Sequence, residues 1–228
     1  MAKSYNLAVE ITKSQKTNSF NNPRINYIDS FLKGIIEICQ KISQQDIDQV
    51  VEILFKAWWN QNQIFIIGNG GSAGSALHFT ADLNNCTVKM NDAHPVHALS
   101  LVDNMVRFSA LTNDMGWENV YTEQLKNYFR PGDIVFTISV HGGKGKDMAE
   151  AWSQNLVQAI KYARDNGGKT LAIVGFDGGI MREICDASIL IPYNTTPHVE
   201  GFYGVIHHLI TERLTQKIKT AASILKND

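Results

Sequence analysis

Residues 64–82 constrain the fold more than any other stretch of the chain. They read IFIIGNGGSAGSALHFTAD, which is a run of four apolar residues, a glycine-rich turn and the beginning of a helix. The apolar run predicts a strand buried on both faces, as in a parallel sheet covered by helices. Glycines let the backbone approach an anion, and the N–H groups and dipole of the helix favour its charge. The stretch predicts a phosphate-binding turn at Gly70 and Gly71, with further donors from Asn69 and Ser72.

The glycine spacing narrows the class of phosphate ligand. It does not match G-x-G-x-x-G followed by an acidic residue about 20 positions later, and it lacks the Lys-Ser/Thr of a P-loop. The turn therefore favours a phosphate monoester. On the helix that follows, His78 and Asp82 are four residues apart and share one face. Such a pair can bind a metal or transfer protons, although a surface or core histidine gives the same pattern.

Length and composition indicate one cytoplasmic domain. The 228 residues suit a single domain of two or three layers. A formal net charge of −1 and a pI near 6.6 give no general attraction to nucleic acid or to an anionic membrane. The cysteines Cys39, Cys86 and Cys185 have neither disulfide nor zinc-site spacing, which favours a reducing compartment. No signal peptide or membrane-spanning segment is expected.

The order of apolar segments predicts a doubly wound parallel sheet flanked by helices. Residues 1–22 are expected to form a flexible N-terminal arm, residues 23–60 a pair of helices, and residues 61–228 the α/β core of the same domain. The predicted strands are 64–67, 96–101, 134–138, 170–174 and 188–191. Strands that alternate with helices imply βαβ units with right-handed crossovers. The exits of the first, third and fourth strands are expected to meet at the carboxyl edge of the sheet, where such folds bind ligands.

Five motifs make the chain resemble a known family. They are GNGGSA at 68–73, HFTAD at 78–82, SALTND at 109–114, RPGD at 130–133 and DGG at 177–179. Together they are similar to the motifs of the sugar isomerase (SIS) domain family, and within it of the sedoheptulose 7-phosphate isomerases. The resemblance covers nearly the whole chain after residue 25. It implies a three-layer sandwich, a homotetramer and an aldose–ketose isomerase that moves a proton through an enediol.

The resemblance also implies a set of site residues. It implies sugar-phosphate binding by Asn69, Gly70, Gly71, Ser72, Asp114, Ser139 and Asp177. It implies one zinc ion per site, held by His78, Asp82, Glu200 and His208, of which Asp82 and His208 also transfer protons. Donors of this kind suit zinc and other borderline metals. Because His207 directly precedes His208, a shift of one residue in the alignment with the family exchanges the two. Both histidines therefore remain candidates for this role.

Three departures from the family pattern affect the chemistry. Asp82 stands where the family has the longer Glu, and Glu200 adds a negative charge where the family has Gln. The loop after the third strand reads SVHGGK at 139–144, where the family has STSGNS. Lys144 can replace lost hydroxyl donors with a positive charge, as lysines do at phosphates. We therefore expect His141 and Lys144 to contact the phosphate or a further acidic group of the substrate.

The first hypothesis is a cytoplasmic, metal-dependent isomerase that converts sedoheptulose 7-phosphate to a heptose 7-phosphate. Its partner is the phosphorylated sugar, and neither nucleic acid nor a membrane is expected to bind. Two alternatives remain compatible with the sequence. One is a non-catalytic protein of the same fold that binds a sugar phosphate or associates with a replication initiator. The other is an isomerase for a different phosphosugar, with His141 and Lys144 setting its specificity.

Overall fold

The computed structural model describes residues 23–90, 93–143 and 152–225, so Lys144 and the N-terminal arm lie outside the described residues. The helices are α1 (Pro23–Lys41), α2 (Gln44–Trp59), α3 (Gly71–Asn85), α4 (Met105–Met115), α5 (Val120–Tyr128), α6 (Gln154–Asp165), α7 (Gly179–Ile184) and α8 (Thr196–Leu225), with a 3-10 turn at Trp117–Asn119. The strands are β1 (Gln63–Gly68), β2 (His97–Ser100), β3 (Ile134–Ser139), β4 (Lys169–Val174) and β5 (Ala187–Leu190). The chain divides into two compact units, Met1–Gln40 and Lys41–Asp228, and the second unit contains the sheet.

The strands of the described residues form a parallel sheet in the order β2-β1-β3-β4-β5. Each neighbouring pair is parallel, and the register aligns Phe65 of β1 with Leu99 of β2 and with Val135 of β3. Helices lie between successive strands along the chain, as parallel connections require. The doubly wound parallel fold that the sequence predicts is confirmed.

The central strands β1 and β3 are buried on both faces, which explains their continuous apolar sequences. All of 64–67 is fully buried, and every residue of β3 is buried. On one face, Phe65 and Val135 belong to a cluster of buried side chains that α5 and α6 complete. Elsewhere in the sandwich α3 packs on β1 and β3, and α8 packs on α2 and α3. Burial of this kind contributes about 25 cal/mol per Å² of apolar surface, and it fixes the edge at which the turns emerge.

The order of the strands locates the ligand crevice. From β1 the chain proceeds to β2 on one side and afterwards to β3 on the other, so the winding reverses between β1 and β3. Open α/β sheets bind ligands at such a switch point, beyond the carboxyl ends of the strands. The glycine-rich turn follows β1 and the altered loop follows β3. The two segments that the sequence predicts to bind substrate therefore flank the switch point.

The loop after β3 packs directly against the loop after β4. Gly142 has φ +60°, and a Cβ at this position would lie 1.9 Å from the carbonyl oxygen of Gly178. Only glycine allows both this backbone conformation and this close approach. The N–H of Met181 also donates to the carbonyl oxygen of Gly142 at 2.9 Å. These contacts hold the two strand exits together beside the switch point.

Two helices follow β4. The six-residue α7 (Gly179–Ile184) was not predicted, because a helix of this length has too few residues to establish a periodic apolar pattern. The long α8 begins at Thr196 and continues for 30 residues. Across the parts of the chain that the structure describes, none of the helices, α8 included, has the length and hydropathy to cross a bilayer.

Candidate active site

The turn between β1 and α3 presents backbone N–H groups at the switch point. Gly70 has φ +54°, in the left-handed region that favours glycine. Gly68 lies so close to the helix that a Cβ on it would be 2.5 Å from the carbonyl oxygen of Ser72. The N-cap residue Gly70 provides no side-chain cap for α3, and the first N–H groups of a helix have no partner within it. The N-terminus of α3 can therefore bind an anion such as phosphate.

Asn69 is held in place by a buried partner, Asn155 of α6. The two amides bond reciprocally: Asn69 Nδ2 donates to Asn155 Oδ1 at 2.9 Å, and Asn155 Nδ2 donates to Asn69 Oδ1 at 2.8 Å. Asn155 is fully buried, and its Oδ1 also accepts from the N–H of Leu156 at 3.0 Å. Sequence reasoning missed Asn155, because a single asparagine in an amphipathic helix has no recognisable pattern. The pair connects the turn after β1 to the helix that follows β3.

Glu200, near the beginning of α8, lies beside the turn. A Cβ on Gly71 would be 2.7 Å from Glu200 Oε1 and 3.2 Å from Oε2. Tyr203, one turn further along α8, is buried. Burial raises the pKa of Tyr203, and the charge of Glu200 adds to this effect. The first residues of α3 therefore contact a carboxylate and a tyrosine from α8.

A second group of titratable side chains lies further along the same two helices. His78 Nε2 is 3.6 Å from Asp82 Oδ2, and His208 Nδ1 is 3.4 Å from the same oxygen. The Asp82 side chain is 18% exposed, whereas those of His78 and His208 are 53% and 61% exposed. The rings of His78 and His208 are 5.2 Å apart at their centroids. This arrangement lets a carboxylate on α3 exchange a proton with a histidine on α8.

His207 occupies the inner side of this group. Its ring is 1% exposed and stacks on Phe79 with the centroids 5.1 Å apart and the planes 19° apart. Burial lowers its pKa to about 4, with further lowering from the neighbouring His78 and His208. His207 is therefore neutral near pH 7. A neutral imidazole is the form that binds a metal.

The donor atoms fit a divalent cation. One ligand atom each from His78, Asp82 and His207 lies within 4.8 Å of the other two. Asp82 Oδ2 and both ring nitrogens of His207 are buried and have no hydrogen-bond partner among the described residues. Imidazole and carboxylate donors suit zinc. Glu200 lies outside this group, because it precedes His208 by eight residues, or about 12 Å along a helix.

The exits of β3 and β4 carry the remaining predicted contacts. Ser139 is buried, and its Oγ accepts from the N–H of Gly142 at 3.1 Å, so it fixes the loop. His141 lies between the rings of Trp152 and Phe176, with centroid distances of 4.7 Å and 4.3 Å. Burial lowers the pKa of His141, and the charge of Asp177 opposes this effect.

The structure gathers most, but not all, of the predicted binding residues. Those at the switch point and the neighbouring strand exits are Asn69, Gly70, Gly71, Ser72, Ser139, His141 and Asp177. Asp114 is exposed near the end of α4, where its Oδ1 accepts from Asn113 Nδ2 at 2.8 Å. Lys144 follows directly after the described part of the β3 exit.

A doubly wound α/β protein with an anion-binding turn at its switch point is the class that these observations define. Comparison with known proteins narrows the class. The family model of the SIS domain matches residues 26–175. The chain is 33% identical over 191 residues to a phosphoheptose isomerase of Geotalea daltonii, covering 84% of this chain and 93% of the relative. The chain therefore belongs to the SIS domain family.

Two further similarities add detail. The chain is 36% identical over 164 residues to the lincomycin biosynthesis protein LmbN of Streptomyces lincolnensis, covering 70% of this chain but only 58% of that protein. Its fold resembles that of a phosphoheptose isomerase from Francisella tularensis, with a TM-score of 0.72 at 23% identity, over 85% of this chain and 97% of the other. At that identity the structural similarity supports the fold alone.

The Asn69–Asn155 pair generates a prediction about stability. We expect Asn69→Ala and Asn155→Ala each to lower the free energy of unfolding by about 1–3 kcal/mol, because each removes both hydrogen bonds of the pair and leaves a buried or half-buried amide without its partner. The double variant should lose less than the sum, with a coupling of about 0.5–3 kcal/mol. Urea denaturation of the four proteins measures this cycle. Asn127→Ala, which removes an exposed amide from α5, is the matched control and should change stability by less than about 0.5 kcal/mol. Additive losses would contradict the pairing.

Proposed function

We propose that this protein is an aldose–ketose isomerase that interconverts sedoheptulose 7-phosphate and a heptose 7-phosphate. The observation that carries the proposal is the pairing of Asp82 on α3 with His208 on α8, in which Asp82 Oδ2 and His208 Nδ1 are 3.4 Å apart. The helix α3 that carries Asp82 also begins at the turn proposed to bind phosphate. Isomerisation needs a base that removes a proton next to the carbonyl and an acid that returns it to the adjacent carbon. The chain spans 87% and 93% of the length of two phosphoheptose isomerases, and this similarity supports the same reaction.

The spacing along α3 supports an elongated substrate. Gly71 and His78 are seven residues apart, which is about 10 Å along a helix. Side chains lean toward the N-terminus of their helix, so Asp82 reaches back toward His78 and the turn. A sugar phosphate anchored at Gly70–Ser72 can extend along α3 with its carbonyl end beside Asp82 and His208. The turn and its Asn69–Asn155 pair would fix the phosphate end during proton transfer.

In the proposed reaction, the Asp82 carboxylate removes the proton from the carbon next to the carbonyl, and an enediol forms. His208 supplies a proton to the carbonyl oxygen and takes one from the neighbouring hydroxyl, while the protonated Asp82 returns its proton to the adjacent carbon, so the isomeric sugar forms and both side chains recover their starting states. The zinc ion implied by the family would be held by His78, Asp82 and a histidine of α8. When bound, zinc polarises the carbonyl oxygen as a Lewis acid.

One observation favours a second candidate, an isomerase for a different phosphosugar. The family's hydroxyl-rich loop is replaced here by His141, whose ring contacts Trp152 and Phe176. Rings at this exit present an apolar surface where the family presents hydroxyl donors. A panel of ketose phosphates of different lengths separates the two candidates.

The cytoplasmic location and the absence of a nucleic acid partner stay predictions from composition.

We expect the active form to be a homotetramer. The family resemblance supports this proposal, and so do the exposed apolar side chains of α1 at Ile28, Leu32 and Ile36, each more than half exposed at four-residue spacing. Light scattering on the eluting peak should give four times the chain mass of 25.4 kDa. A particle of one chain mass at micromolar concentration would contradict this expectation.

The proton-transfer roles predict a large loss of turnover. Asp82→Asn and His208→Asn should each lower kcat with sedoheptulose 7-phosphate by about 10²–10⁴-fold, which is the usual contribution of a general acid or base. KM should change little, because neither side chain lies at the phosphate turn. His97→Asn, at an exposed histidine where β2 begins, is the control and should retain full activity. Wild-type turnover in both variants would exclude the proposed pair, whereas an inactive wild-type protein would argue for the non-catalytic alternative.

Glu200 predicts a second and different effect. Its carboxylate lies beside the turn that is proposed to bind phosphate, so its negative charge repels the ligand. Glu200→Gln, which restores the family residue, should tighten the binding of inorganic phosphate by about tenfold, or about 1.4 kcal/mol. Isothermal titration at low and high salt measures the change, which salt should reduce. Glu118→Gln, which removes an exposed carboxylate from the 3-10 turn, is the matched control. Equal affinities in wild type and Glu200→Gln would show that Glu200 does not face the anion.

A further inference from the structure

His207 is buried in a way that an ordinary core histidine is not. Its ring is 1% exposed and lies between Phe79 and Tyr203, nearly parallel to both, at centroid distances of 5.1 Å and 6.4 Å. Neutral imidazole carries one hydrogen-bond donor and one acceptor. Neither ring nitrogen has a partner among the described residues. Because an unpartnered buried polar group is costly and rare, two on one ring require an explanation.

The neighbours of His207 supply that explanation. Asp82 Oδ2 is also buried without a hydrogen bond in the described structure, and ligand atoms of His78, Asp82 and His207 all lie within 4.8 Å of one another. Zinc binds imidazole nitrogen and carboxylate oxygen at about 2.0–2.2 Å, which places neighbouring ligand atoms of a tetrahedron about 3.4 Å apart. His78 Nε2 and Asp82 Oδ2, at 3.6 Å, are already close to this separation. The unpartnered atoms therefore point to a cation site with an inward-facing histidine as its third ligand.

We propose that His207, together with His78 and Asp82, binds a divalent zinc ion, and that His208 is the proton-transfer residue and not a ligand. The correspondence with the family leaves the two histidines interchangeable, but their environments differ. His207 is enclosed in the core, whereas the His208 side chain is 61% exposed with Nδ1 3.4 Å from Asp82. A proton-transfer group needs access to substrate, and His208 has it. This assignment rests on the proposed function only in taking the cluster as the reaction centre.

The test measures metal binding without substrate, so that it can fail independently of the isomerase activity. Full-length protein is stripped with a chelator and then titrated with zinc by calorimetry and with cobalt by visible absorption spectroscopy. Wild type should bind one ion per chain. His207→Phe should weaken zinc binding by at least about 100-fold, more than the loss typical of an outer-shell residue, and should abolish the cobalt absorption of the site. His208→Phe is the matched control and should weaken zinc binding by less than about tenfold.

The phenylalanine variant also tests whether the fold is preserved. It keeps a planar ring on Phe79 and removes the two unpartnered nitrogens, so the metal-free variant should melt at or above the wild-type Tm. Zinc should raise the Tm of wild type and of His208→Phe but not that of His207→Phe. If His207→Phe does not fold, His207→Leu serves the same purpose.

Three results would overturn the assignment. One is a His207→Phe variant that binds zinc with wild-type affinity while the His208→Phe variant loses zinc binding. Another is wild-type zinc affinity in both variants. The third is a wild-type protein that binds no zinc, and isomerase turnover by that metal-free protein would then leave the proposed function standing while removing the metal site.

Discussion

The exit of β1 imposes the constraint on which the rest of the site depends. The first N–H groups of α3 must stay available to a ligand while the residues around them are buried. Gly68 permits this, because a Cβ there would collide with the carbonyl oxygen of Ser72 and push the helix away. The buried hydroxyl of Tyr121 donates to the Gly68 carbonyl oxygen, so the last peptide of the strand has a partner inside the core. Burial thus fixes the turn, and the turn leaves its donors facing outward.

The packing of α8 along α3 in the same direction divides the site into two levels. At the first level, the start of α3 meets Glu200 and Tyr203; at the second, Asp82 meets His207 and His208. Helices that run in parallel keep equal residue spacings in register, which is why Glu200 cannot reach the second level. In the proposed function, phosphate binding and proton transfer therefore involve different turns of the same two helices. This separation also explains why a change at Glu200 is expected to alter phosphate affinity, whereas a change at His208 is expected to alter kcat.

The sequence predicts the fold well and the site only in part. Continuous apolar runs such as 64–67 leave little choice but a buried parallel strand, and the glycine pattern after it identifies the turn. Asn155 has no such pattern, because its importance comes from its hydrogen bonds with the Asn69 amide, which is far away in the sequence. Adjacent residues of a helix point about 100° apart, so His207 and His208 face different surroundings, yet a single sequence does not say which one faces inward. That choice depends on how α8 packs against Phe79, which is a tertiary property.

The shorter carboxylate of Asp82 and the buried ring of His207 can be understood together. Asp82 is one methylene shorter than the family's Glu, so its carboxylate stays closer to the backbone of α3 and beside His78. An ion held by this carboxylate must also lie closer to α3. His207, which stacks on Phe79 of α3, presents its ring nitrogens on that inner side, whereas His208 lies further out. A shorter carboxylate thus favours the inner histidine as ligand and leaves the outer one free to exchange protons with substrate. The change at Asp82, which by itself weakens the resemblance to the family, is then compatible with the proposed site, in which a bound ion would be held by His78, Asp82 and the inner histidine.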